Sequence, residues 1–147
     1  MEAAISTANE ALKGHTFVYE EVGQQEKYMK AVEEIAQYCG QLFWPEMCKL
    51  VLFGVETKFE DLKPLTGEVS TGEIEAYKFE FREVRDEKKR YIRNKVATYW
   101  ILYGRCTKDM QEAVDSSAGY KKLEKEEDVA GLLATIEGLA YGWNEEQ

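Results

Sequence analysis

The chain has 147 residues, of which 44% are hydrophobic and 32% charged, and its formal net charge is −9. This length is typical of one domain, and the apolar fraction is sufficient for a hydrophobic core, so a fully disordered chain is excluded. The overall acidity opposes nucleic-acid binding by the chain as a whole, because contacts with phosphates need lysine and arginine.

Neither a secretory signal nor a membrane span is predicted. The first twenty residues lack a basic start and a sustained apolar run, and no segment approaches about 18 consecutive apolar residues. The cysteines Cys39, Cys48 and Cys106 are odd in number and widely spaced, which favours free thiols in a reducing compartment. We therefore expect a cytoplasmic protein that makes no contact with a membrane.

The N-terminal third predicts a tail, a short strand and a helix. Residues 1–11 are expected to be a flexible tail, and the aromatic and β-branched residues of 15–20 are compatible with one short strand. Residues 24–39 have one apolar stripe at helical period, with Gly40 placed to end the helix. The stripe consists of Tyr28, Ala31, Val32, Ile35, Ala36 and Cys39.

A second, shorter helix is predicted between Pro45, which is tolerated in a first helical turn, and Gly54. Its apolar residues lie nearly all round the helix, so we expect it to be buried. Residues 55–69 contain Pro64 and Gly67 and have no sustained periodicity, which indicates a loop. Loops of this length are usually functional or mobile.

The organising element is a long helix that begins after Ser70, where Ser70 and Glu73 form a capping box, and ends at Gly104. Apolar residues share one face at both of its ends, whereas its middle is charged. Such a helix would be about 50 Å long, and a compact chain of this size is only about 38 Å across. The helix must therefore bend, project from the fold or be covered by another chain.

Beyond Gly104 the sequence predicts a short helix N-capped by Thr107, with Met110 and Val114 facing inward. Residues 120–127 are interpreted as a polar connector. A last helix over residues 126–141 begins with acidic side chains, which the helix dipole favours. Its predicted inward face consists of Val129, Leu132, Leu133, Ile136, Leu139 and Ala140.

The residues give no signature of catalysis. His15 is the single histidine, so any Ser-His-Asp or Cys-His arrangement would have to use it, and a structural role at a strand edge is the simpler interpretation. The cysteine spacing does not fit a zinc site, and the glycines form no nucleotide-binding loop. We predict no active site, no metal, no cofactor and no small-molecule substrate.

Residues 82–95 carry a local charge of +4, which leaves −13 on the rest of the chain. One interpretation is a solvated helix face with pairs such as Asp86 and Arg90 four residues apart. The other is a patch that binds nucleic acid or another anion. The candidate binding residues are Arg85, Lys88, Lys89, Arg90, Arg93 and Lys95.

Several short segments, taken in order, carry a family resemblance. They are Leu12-Lys13-Gly14-His15 before an aromatic-rich stretch, Gly104-Arg105-Cys106-Thr107 after a long charged helix, and Asp128-Val129 followed by Leu132-Leu133 and Ile136. The chain resembles Gag-like proteins of copia-type retrotransposons, particularly those of diatoms and other algae. No zinc knuckle or protease follows these segments, so the expected counterpart is the capsid-like portion alone or a domesticated derivative.

The resemblance implies an all-α structural protein that self-associates and has no catalytic activity, and whose RNA partner is packaged mainly through a separate basic or zinc-knuckle segment. The capsid-like domain would span residues 12–143, as one unit or as two small lobes divided near residue 105, with residues 144–147 as a tail. The candidate self-association residues are Tyr91, Tyr99, Trp100, Tyr141 and Trp143. The alternative is a helical module that binds nucleic acid, anions or proteins through residues 82–95.

Overall fold

A computed structural model describes residues 2–20 and 22–142. The part of the chain that it describes contains seven helices and no β-strand, which confirms the all-α prediction. None of the helices in these ranges is long and apolar enough to cross a bilayer. The helices are α1 (Glu2–Ala11), α2 (Gln24–Phe43), α3 (Pro45–Phe53), α4 (Thr71–Gly104), α5 (Lys108–Asp115), α6 (Tyr120–Glu126) and α7 (Val129–Gly142).

The hydrophobic core lies where the C-terminal end of α4 meets α1, α2, α3, α5 and α7. Its members come from both sides of residue 105, so the described chain has one continuous core across the position where two lobes were considered. The fully buried residues of this core include Ile35, Leu50, Tyr99, Ile101, Leu102, Met110, Leu132 and Ile136.

The prediction of a flexible tail is wrong for residues 2–11, which form α1. Ala8 and Leu12 are buried in the core, because the end of α4 gives α1 a surface to pack on. The guanidinium of Arg105 donates a hydrogen bond to the backbone oxygen of Asn9 at 2.9 Å. This contact joins the end of α1 to the residue that follows α4.

The short strand expected over residues 15–20 is reduced to one isolated parallel bridge between Phe17 and Cys106. The Phe17 NH donates to the Arg105 oxygen at 2.9 Å, and the Thr107 NH donates to the Phe17 oxygen at 3.0 Å. Phe17 is buried, so this segment is held by its side chain as well as by two backbone hydrogen bonds. No second strand lies beside it among the described residues, and a sheet cannot form.

Gly40 does not end α2, which continues to Phe43. A Cβ atom at Gly40 would lie 2.9 Å from the Cβ of Cys48, closer than two such atoms can pack. Glycine at this position therefore allows α2 and α3 to approach each other closely. The residue was correctly recognised as special in the sequence, but its role is packing and not termination.

Helix α3 has the predicted bounds, with Pro45 in its first turn and Gly54 closing it in the left-handed conformation at φ 66°. The expectation that α3 is buried all round is wrong. Leu50 and Val51 lie in the core, whereas Phe53 is 73% exposed. Only one side of α3 packs on α2 and α7, and the other side is open.

The C-terminal helices follow the predicted pattern with two corrections. Thr107 caps α5 by accepting a hydrogen bond from the NH of Met110, and the apolar face predicted for the last helix is packed in the core. Residues 120–126 form helix α6, not a connector. Glu127, at φ 50°, separates α6 from α7, so α7 starts at Val129 and not at residue 126.

Helix α4 begins as predicted, with the Ser70 hydroxyl accepting a hydrogen bond from the NH of Glu73 at 3.1 Å. It has 34 residues without interruption, which corresponds to about 51 Å. Its buried residues are Tyr91, Ala97, Thr98, Tyr99, Ile101 and Leu102, all in its C-terminal part. Residues 71–90, here called the arm, contain no buried side chain and project from the core.

Candidate functional site

The loop predicted over residues 55–69 is present, and its first half lies along α4 as an extended strap, residues 55–62. Successive residues of the strap contact α4 at positions progressively closer to the N-terminus of that helix, so the strap and α4 run antiparallel. Phe59 also packs edge-to-face on Tyr91, with ring centres 5.6 Å apart. The polar contacts are Glu56 to Lys95 at 2.6 Å, the Thr57 NH to the Tyr91 hydroxyl at 3.0 Å, and Asp61 to Lys88 at 2.8 Å.

These contacts divide the predicted anion-binding cluster. Lys88 and Lys95 are paired with strap carboxylates, and the hydrogen bond from Lys88 lowers the pKa of Asp61. The guanidinium of Arg90 lies 4.3 Å from the centre of the Trp44 ring, a cation-π contact. Three of the six predicted residues are therefore engaged by the strap or by Trp44.

The other three basic candidates, Arg85, Lys89 and Arg93, are exposed. Asp86 does not pair with Arg90 as considered; it lies 3.7 Å from Arg85, in a contact open to solvent. Surface pairs of this kind contribute little to stability and leave the guanidinium accessible.

Arg85, Lys89 and Arg93 belong to a longer row that the sequence analysis missed. Lys78 and Arg82 precede them at spacings of three and four residues, which places all five on one side of α4. We call Lys78, Arg82, Arg85, Lys89 and Arg93 the basic stripe. All five side chains are exposed, and the stripe is about 22 Å long. The helical spacing in the sequence was sufficient to place these five residues on one side of the helix, whereas their exposure depends on the fold.

The predicted self-association residues also differ in how far they are exposed. Tyr91 and Tyr99 are buried in the chain's own core, because the helical period turns both rings toward it, so they cannot face a second copy. Trp100 is half-buried, and its indole NH donates to Glu127 at 2.6 Å. Tyr141 is 43% exposed. Trp143 lies outside the described residues.

The arm has exposed aromatic residues that were not among the five candidates for self-association. Phe79 is 61% exposed and Phe81 is 53% exposed, and they lie on opposite sides of the helix. Phe81 borders a shallow depression whose other lining residues are Tyr77, Lys78, Arg82 and Arg85. Phe81 thus has basic side chains on one side, and on its other side it borders a depression shared with Asp61 and Leu62 of the strap.

A second open surface is a groove of about 470 Å³ between α2, α3 and α7. We call it the α2/α3/α7 groove. Its exposed apolar residues are Met29, Leu52, Phe53 and Tyr141. The charged residues in its lining are Glu33 and Glu137, both acidic and both exposed. Met29 on the polar side of α2 was the sequence signal for this surface.

The groups considered for catalysis or metal binding are not brought together. Burial raises the pKa of the Cys39 and Cys106 thiols to about 12, so both are protonated at neutral pH. His15 is half-buried in the turn after α1. Across residues 2–20 and 22–142, no three His, Cys, Asp or Glu side chains are arranged to hold a metal ion.

Comparison with known proteins adds no relative to this description. No family model matches the chain, and neither the curated proteins nor the solved structures contain a significant match.

Proposed function

We propose that the protein is a non-enzymatic structural module that associates with further copies of itself, as the resemblance to Gag-like capsid regions implies. The observation that supports this proposal is the arm: residues 71–90 of α4 bury no side chain, yet they carry exposed Phe79 and Phe81. Most of the stability of helices in proteins comes from tertiary packing. Exposed apolar side chains on such an element are typical of an interaction surface.

Sedimentation velocity over about a 100-fold range of protein concentration, at low and high salt, tests self-association. We expect the weight-average sedimentation coefficient to rise with concentration. The double variant F79S/F81S should associate at least about 10-fold more weakly, because truncating a hot-spot residue at the centre of an interface costs about 2 kcal/mol or more. Leu42→Ser is the matched control, since Leu42 is similarly exposed on α2 but lies outside the arm and the groove.

A chain that remains monomeric at every concentration and salt would overturn the proposal. Equal weakening by Leu42→Ser would also contradict it, since the arm would then have no particular role.

The basic stripe favours a second candidate function, binding of RNA. Five exposed basic side chains could contact about five phosphates, and such contacts lose affinity by roughly 100-fold between about 50 and 200 mM salt on a single strand. Fluorescence anisotropy of a labelled single-stranded RNA measures this dependence. We expect K89E/R93E to weaken binding strongly and Lys121→Glu, on α6, to have little effect. Affinity that does not change with salt would exclude this electrostatic mode.

A further inference from the structure

The α2/α3/α7 groove has the features of a docking site. Single exposed apolar residues are common on proteins, but here Met29, Leu52, Phe53 and Tyr141 surround one concavity. Three helices contribute to it, and each is held by the core behind it. The concavity is therefore preformed and does not require a rearrangement of the fold.

The rim of this groove is acidic. Glu33 on α2 and Glu137 on α7 carry its charge, and no lysine or arginine lines it. Burial, and then the Glu137 carboxylate, raise the pKa of the Tyr28 phenol, so the hydroxyl there stays neutral. A partner with an apolar centre and basic flanks would match both the lining and the rim.

The arm has that pattern. Phe81 is the exposed apolar centre, and Lys78, Arg82 and Arg85 flank it. A helix that lays an apolar residue into a hydrophobic groove, with complementary charges at the sides, is a common recognition mode.

The arm cannot reach the groove of its own chain. Helix α4 is continuous, and it contacts the α2–α3 junction where Arg90, the last residue of the arm, stacks on Trp44 and where Asn94 donates to the Phe43 oxygen at 3.0 Å. The arm extends away from this junction. Any arm that occupies the groove must come from another molecule.

We propose that the α2/α3/α7 groove receives the arm of a second copy of this chain, with Phe81 against the apolar lining and the basic flanks beside Glu33 and Glu137. This inference rests on the proposed self-association. The interface joins two different surfaces, so reciprocal exchange of two arms closes a twofold dimer, whereas one-way contacts generate larger rings or open filaments. Direct pairing of two arms through their basic stripes would instead oppose like charges.

Complementation between two variants tests the arrangement. Phe81→Ser damages the arm and leaves the groove intact, whereas Phe53→Ser does the reverse. Both residues are exposed, so neither change should unfold the chain, and circular dichroism verifies this. Each variant alone should associate at least about 10-fold more weakly than the wild type. An equimolar mixture should form a 1:1 dimer that grows no further, because it contains one intact arm and one intact groove.

The outcomes separate this inference from the function on which it rests. If the wild type assembles and Phe53→Ser assembles equally well, the groove is not used and the inference fails, while self-association stands. If the wild type is monomeric throughout, both fail. Mixed variants that stay monomeric, or assembly that disappears after nuclease treatment, would also overturn the arm-in-groove contact.

Discussion

Ile101→Ala is expected to lower the free energy of unfolding by about 2–5 kcal/mol, the usual cost of removing a large aliphatic side chain from a core. Ile101 has no exposed surface and lies in the part of α4 that packs against the other helices. The loss includes the transfer free energy of the removed methylene and methyl groups and the cavity that remains. Urea denaturation followed by circular dichroism at dilute concentration measures it.

Ile92→Ala is the matched control, because the same change is made on the same helix at a residue that is 60% exposed. Surface substitutions of this kind usually change stability by less than about 0.5 kcal/mol, with a further small gain from the helix propensity of alanine. The difference between the two changes in unfolding free energy tests whether Ile101 is buried and Ile92 is exposed, as in the structure. A cost at Ile92 equal to that at Ile101 would contradict it.

Amide hydrogen exchange is expected to be at least about 100-fold less protected in residues 75–87 than in residues 97–102, after correction for intrinsic rates. Both segments belong to α4 and have the same backbone hydrogen bonds. The first segment has no buried side chain, whereas the second holds most of the buried residues of the helix. Helices without tertiary packing open at low free-energy cost. Exchange followed by mass spectrometry or NMR at a concentration where the chain is monomeric measures the difference.

The same experiment repeated at high concentration links stability to association. If a second copy binds the arm, protection of residues 75–87 should increase while that of residues 97–102 stays constant, because binding stabilises only the conformation that it recognises. Protection in the two segments within about a factor of ten under dilute conditions would show that the arm is packed in the monomer. The description of α4 as two unlike halves would then be wrong.

Several features of the fold were predictable because their causes lie within a few residues of one another. The caps at Ser70 and Thr107 each use a hydroxyl and an NH three residues later. The apolar stripe of α7 repeats at helical period, and glycine at position 54 ends α3 in a left-handed conformation. The projection of α4 was one of three outcomes that its length required, and its charged middle indicated where burial would fail.

The wrong predictions concern contacts between residues that are far apart in the sequence. Gly40 was interpreted as a helix terminator because the sequence does not show that Cys48, on another helix, packs against it. Residues 2–11 carry no strong helical stripe, and they are ordered by packing against α4. Tyr91 and Tyr99 were read as association residues, but only their position on α4 relative to the core determines that both are buried.

Residues 82–95 show most clearly which properties depend on the sequence and which depend on the tertiary structure. The sequence by itself determined that this span is basic and helical, and Tyr91 is its one residue that is buried in the core. Only the tertiary structure decided which charges remain available, because the strap pairs Lys88 with a residue 27 positions earlier and contacts Tyr91 from 34 positions away. Helical periodicity acts within one chain segment, whereas ion pairing and burial depend on where separate segments lie in space. For that reason the sequence predicted a basic helix, and the fold determined its exposed stripe and its arm.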